Sequence, residues 1–205
     1  TLKPLIASVI DVICFDGNGY TEEWRHEAER RGLDTETSVP EMIKVFSRPE
    51  SVAMFKRTGV FTESELNARN EVKWETYSKK VQIESRVLVR MAINHIIPAA
   101  VSYKSLLLKE LAANKEVFGN LDGCATELAL VQKVNAYVEK IDDLAREMKE
   151  ARKRANAIES EYEKAVAYHG IAESFNGIRQ PIDKLEEIVD NRLWPLPKYR
   201  ELLFI

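Results

Sequence analysis

The stretch TESELNARNEVKWETYSKKVQIESRVLVRM, residues 62–91, opens on Thr62-Glu63-Ser64-Glu65. This is the pattern of a capping box. The Thr62 hydroxyl oxygen is placed to accept from the Glu65 amide, and the Glu65 carboxylate reaches back to the Thr62 amide. A long helix is therefore expected to start here. Trp74, Tyr77, Val81, Leu88, Met91 and His95 form its apolar stripe, continued after Pro98 by Leu106 and Leu107. Pro98 removes one backbone donor and is expected to kink the helix. Residues 114–122, with Gly119 inside, read as a turn. A second long helix then carries Leu128, Val131, Val138, Ile141, Met148, Ala151, Ile158 and Tyr162 at helical steps, with a charged opposite face. A third segment repeats through Ile171, Phe175, Ile178, Ile182, Leu185 and Val189, with Pro181 off the stripe. The expectation is an all-α chain with a long antiparallel helical hairpin, a third helix and an extended tail.

Outward from this centre, the N-terminal part reads as short helices. Leu2, Leu5, Ile6, Val9 and Ile13 recur at helical spacing, although a buried strand over residues 9–15 fits the same run. Thr21 can cap a helix whose first turn holds Glu22 and Glu23 and which Gly32 ends. Thr37 or Ser38 with Pro40 starts another through Phe46. Ser47 with Pro49 starts one that stops at Gly59. At the far end, LWPLPKYRELLFI (193–205) holds Pro195 and Pro197, which forbid ordinary helix. Trp194, Leu196, Tyr199, Leu203 and Phe204 then need a host surface and would act as docking anchors.

Composition narrows the function classes. The 205 residues carry 30 Lys and Arg against 33 Asp and Glu, a net charge of −3. No basic excess is available to neutralise phosphates, so nucleic acid is not expected as a partner. No apolar stretch is long enough for a bilayer span, and no membrane partner is expected. Cys14 and Cys124 form no paired motif, and a reduced, cytoplasmic setting is the default. The chain opens on Thr1 without a methionine, inside what looks like an ongoing element, and is expected to be a piece of a longer polypeptide.

The candidate chemistry is thin. Gly17-Asn18-Gly19 follows an apolar run and precedes a helix, as a nucleotide-binding turn would. Glu22 stands where the third glycine belongs, no second strand follows, and two glutamates at the helix start would repel a pyrophosphate. A plain turn needing positive φ is the expectation. Glu23-x-x-His26 is half of a di-iron helix motif and has no second half in the chain. His95 is expected as a hydrogen-bonded core histidine, and His169, beside Gly170, as a residue at a helix junction. No serine or cysteine stands with a histidine and an acid at a catalytic-motif spacing. No catalytic, cofactor or metal residue is therefore assigned within the segment.

Several stretches together carry a resemblance. DGNGYTEEWRHEAERRGL (16–33), MFKRTGVFTESEL (54–66), IIPAAVSYK (96–104) and above all LWPLPKYRELLF (193–204) resemble the C-terminal region of type III glutamine synthetases, whose usual wording is close to NGNGYSEEW and LWPLPKYRELLF. The resemblance runs from about residue 5 to the end. Asp16 stands where Asn is usual, and Asn67-Ala68-Arg69-Asn70 where a pattern nearer His-Ser-Arg-Tyr is usual. Asn191-Arg192 precedes the tail where acidic residues are common.

The resemblance implies an ATP-dependent ligase that makes glutamine from glutamate and ammonia with Mg²⁺ or Mn²⁺. Its catalytic motifs belong to an upstream sheet domain, so none is carried onto these residues. It further implies a double hexameric ring. Residues 1–61 would close the end of the catalytic domain, 62–191 would form the hairpin, and 192–205 the docked tail. In the type I enzymes a tyrosine at the matching place of a shorter motif is an adenylylation target, which makes Tyr20 a candidate regulatory residue. The competing reading is a stand-alone helical interaction module without catalysis.

Overall fold

The structure, a computed structural model, describes residues 2–14 and 16–203; the side chains of residues 11–13, 199 and 200 lie outside the description. The described residues are 79% helical and contain no strand. Helix α1 spans Leu2–Ile13, which settles the ambiguous N-terminal run as helix. Helix α2 (Glu22–Arg30) starts on Thr21, whose side chain accepts from the Trp24 amide. Helix α3 (Val39–Lys44) passes into a 3₁₀ turn at Val45–Ser47, and α4 follows at Pro49–Thr58. Gly32 at φ 73° and Gly59 at φ 67° follow α2 and α4 in the left-handed region, where a side chain would be strained.

The capping box at residue 62 is present in both directions. The Glu65 amide donates to Thr62 Oγ1 at 3.3 Å, and the Thr62 amide donates to Glu65 Oε2 at 2.8 Å. From there the chain runs as one helix of 56 residues: α5 (Glu63–Met91), a π-helical turn at Ala92–Ile96, and α6 (Ile97–Phe118). The π turn meets the problem that Pro98 poses. Without a proline N–H the regular ladder cannot close, and the Ile97 amide bonds the Ala92 carbonyl five residues back. Gly119, at φ 76°, follows α6. Helix α7 (Ala125–Asn156) packs on α6 and also touches α5. Two side-chain bonds tie the facing helices: Gln82 Nε2 to Asn156 Oδ1 at 2.7 Å and Lys104 Nζ to Asn135 Oδ1 at 2.9 Å.

The remainder departs from a continuous stripe. The second helix does not run through Ile158 to Tyr162; it stops at Asn156, and Ser160 caps a new helix α8 (Glu161–Glu173) by accepting from the Glu163 amide. The expected third segment is thus divided again at Ser174, where α9 (Phe175–Ile188) begins. Helix α8 packs on α5, and α9 packs on α7. Pro181, expected off the stripe, is buried between Ile178 and Leu185 on the inner face of α9. A short helix α10 (Tyr199–Leu202) ends the described chain, so the tail is not extended throughout.

One core runs through the long helices. Val81, Val89, Ala92, Ile96, Val134, Ile141, Ala145, Met148, Tyr168, Ile178 and Leu185 share it. Each fully buried Leu or Ile contributes roughly 1.5–3 kcal/mol. The inner face of α5 includes Ser78 and Ser85, buried to 3% and 0% exposure, which apolar periodicity does not register. Leu107 is buried as expected of the stripe, whereas Leu106 is exposed and points away. His95 corrects another expectation. It is exposed, because the core face passes through Ala92 and Ile96 on either side of it.

Candidate functional site

The Gly17-Asn18-Gly19 turn is built by its asparagine. The Tyr20 amide donates to Asn18 Oδ1 at 3.0 Å, and Thr21 Oγ1 donates to the Asn18 carbonyl at 3.1 Å. Gly19 does not occupy the left-handed region, which corrects the expectation that this turn needs it there. The side chain of Asn18 does the turning, as Asn does in Asx turns. Tyr20 projects from this turn 99% exposed. Glu23 and His26 both lie on α2. Among the described residues no group of three or more His, Cys, Asp or Glu side chains converges to hold a metal ion.

Three polar ties position the helices around the core, and periodicity did not single them out. The Tyr77 hydroxyl and His169 Nδ1 lie 2.8 Å apart, joining α5 to α8. Burial raises the Tyr77 pKa, with Glu173 and Glu84 adding to the shift. His169 therefore sits within α8, not at its end. The buried Tyr168 donates to Asn156 Oδ1 at 2.6 Å, on the same oxygen that Gln82 uses. Nearer the N-terminus, Asn70 Nδ2 donates to Ser47 Oγ at 2.6 Å, and Ser47 Oγ donates to Asn67 Oδ1 at 3.0 Å. Asn67 and Asn70, which depart from the resembled pattern, thus form a matched clasp between the 3₁₀ turn and α5. Trp74 completes that corner, its Nε1 donating to the Pro40 carbonyl at 3.0 Å.

The tail motif has a structural role that its residues explain. Trp194 is buried to 8% exposure and joins the core cluster with Leu185 and Val189, and Leu196 packs against the same cluster. The first part of the tail therefore finds its host on this chain's own helices. Lys198 Nζ donates to the carbonyls of Glu186 at 2.5 Å and Val189 at 3.1 Å. A cation on the last carbonyls of α9 satisfies groups that no intrahelical donor reaches, at the negative end of the helix dipole. Leu203 is 78% exposed and has no such burial. The Tyr199 side chain and Phe204, both expected as anchors, lie outside the described residues.

Between α9 and the tail, Asp190 organises the turn. Its Oδ1 accepts from the Arg192 amide at 2.8 Å, and its Oδ2 accepts from Arg192 Nη2 at 2.8 Å. The Arg192 guanidinium, then the Arg192 backbone N–H, holds the Asp190 carboxyl down at about 2, against an ordinary 3.8. A depressed carboxyl pKa stabilises the folded turn above the ordinary value, and that contribution is lost as pH falls from there through the folded value. A carboxyl-carbon NMR titration is expected to place the Asp190 midpoint near 2; a midpoint near 3.8 would mean that the pair does not form in solution.

The second surface is α1. Every side chain from Leu2 to Ile10 is exposed, including Leu2 at 73%, Leu5 at 62% and Ile6 at 52%. Its exit is held by Arg31, whose Nη1 donates to the Cys14 carbonyl at 2.7 Å while Nε reaches Glu27 Oε1 at 2.6 Å. A helix this apolar and this exposed presents an interaction face. The structure thus combines a self-packed helical core with an apolar helix whose described side chains are left uncovered.

The family model of the glutamine synthetase C-terminal domain matches residues 2–115, and the chain belongs to that family. Over 98% of its length it is 46% identical to a glutamine synthetase of Bacteroides fragilis. It is 30% identical over 94% of its length to a glutamine synthetase of Butyrivibrio fibrisolvens. It is 25% identical, over a similar span, to a type-3 glutamine synthetase of Dictyostelium discoideum. The chain spans 28% of the Bacteroides protein and 27% of each of the other two. No helix among the described residues is long and apolar enough to cross a membrane.

Proposed function

We propose that this chain is the C-terminal helical part of a type III glutamine synthetase, a cytoplasmic ligase that joins ammonia to glutamate at the expense of ATP. The observation that carries the reading is the match along 98% of this chain to a protein named glutamine synthetase, with a type-3 glutamine synthetase among its relatives. In this reading the chemistry, the nucleotide and the Mg²⁺ or Mn²⁺ ions belong to the rest of the polypeptide. The donor set here does not fit a divalent ion, since no three ligating side chains converge among the described residues. The first turn does not fit a nucleotide phosphate, because Glu22 and Glu23 occupy the helix start.

The segment serves assembly and the rim of the active site. Residues 1–61 close over the end of the catalytic domain, with the apolar face of α1 as the seat. Residues 62–191 form the arm, and residues 192–205 lock it. The intact protein assembles as a homo-oligomer of stacked hexameric rings. The test is enzymatic. The purified 205-residue chain, given glutamine, hydroxylamine, ADP and Mn²⁺, is expected to form no γ-glutamyl hydroxamate, whereas the intact polypeptide forms it readily. Clear activity in the chain alone would overturn the assignment of the chemistry elsewhere.

A further inference from the structure

The seam between α5 and α7 holds two arginines without a counter-charge. Gln82 meets Asn156 across that seam, and one turn further along each helix stand Arg86 and Arg152. Arg152 is half-buried, and its Nη1 is shut off from solvent without a hydrogen-bond partner. Burial, and after it the nearby charge of Arg86, lowers the Arg152 pKa below the ordinary guanidinium value. Among the described residues no carboxylate pairs with either guanidinium, whereas Arg25, Arg31, Arg48, Arg146 and Arg192 each have one. A buried N–H left unmade costs free energy, and so does the closeness of two like charges with no carboxylate between them.

We propose that Arg86 and Arg152 form a receptor for a small doubly charged oxyanion of the phosphate type, held across the α5–α7 seam. Guanidinium groups match the oxygens of such an ion in bidentate fashion. Two positive charges are neutralised by one dianion, while a single carboxylate would leave half the charge unmet. Arg86 is exposed, which gives the ion a path from solvent. Tyr168, which lies near Arg152, turns its hydroxyl proton to Asn156, and Arg152 Nη1 has no hydrogen-bond partner. The site is independent of the activity proposed above.

Thermal melts of the intact polypeptide and of its Arg152→Met and Arg86→Gln variants test this, in chloride and in inorganic phosphate at matched ionic strength. In chloride, Arg152→Met is expected to melt at or above the wild-type temperature, because Met keeps the packed stem and removes an unpaired charge. Phosphate is expected to raise the wild-type melting temperature by roughly 1–3 °C and to add less to either variant. Any other phosphate site is common to all three proteins, so the difference reads this pair alone. An equal gain in all three would overturn the proposal. So would a change in oligomer mass on Arg86→Gln without any phosphate effect, which would show that a neighbouring subunit's carboxylate meets the charge.

Discussion

Replacing Trp194 with alanine is expected to cost the chain about 3–5 kcal/mol, read as a lower urea midpoint at unchanged slope. The indole is buried to 8% exposure in the main core, and removing it opens a void where α9 meets the tail. A second substitution separates packing from hydrogen bonding. Trp194 Nε1 is buried and has no partner, so Trp194→Phe forfeits no bond and relieves an unmet donor. It is expected to cost less than about 1.5 kcal/mol, the range of a shape-tolerant aromatic exchange. If Trp194→Ala left the midpoint unchanged, the tail would not be docked in solution.

Removing residues 192–205 from the intact polypeptide should have a larger effect still. The deletion takes away Trp194 and the packed Leu196, frees Asp190 from Arg192, and uncovers the α9 carbonyls that Lys198 satisfies. The loss is expected to exceed that of Trp194→Ala, at about 5 kcal/mol or more. It should appear as a lower melting temperature together with weaker assembly on size exclusion. Unchanged profiles in both measurements would rule out the tail as a lock. The motif thus gains a physical meaning: its tryptophan fills a core position, and its lysine closes a helix.

Much of this architecture was legible in the residues, and its failures have causes. The Thr62 capping box marked its helix because a side-chain signature coincided with an apolar stripe. The same kind of signature at Ser160 and Glu163 starts α8, but Ile158 and Tyr162 continue the neighbouring stripe at helical spacing and hide the break. Apolar periodicity sees large side chains, so it found Val81, Ile141 and Leu185. It passed over Ser78, Ser85 and Ala145, small residues that lie just as deep. It also placed His95 one position off the face that Ala92 and Ile96 occupy. Pro181 is expected off the stripe, yet its ring is an apolar surface and sits inside. The polar ties through Tyr77 and His169, or Asn70 and Ser47, join residues far apart in sequence and leave no local pattern to read. The apolar face of α1 was plain, but its exposure was not, since a sequence shows which residues need cover and not what covers them.

The central proposal is that α1 seats on the rest of the intact polypeptide. Hydrogen exchange of residues 2–13, compared between the 205-residue chain and the intact polypeptide, tests it most directly. A lone twelve-residue helix is marginal in water, so in the chain alone its amides should exchange fast. In the intact polypeptide burial of Leu2, Leu5 and Ile6 should slow them by roughly tenfold or more. Equal, fast exchange in both would contradict the account and leave α1 without a seat.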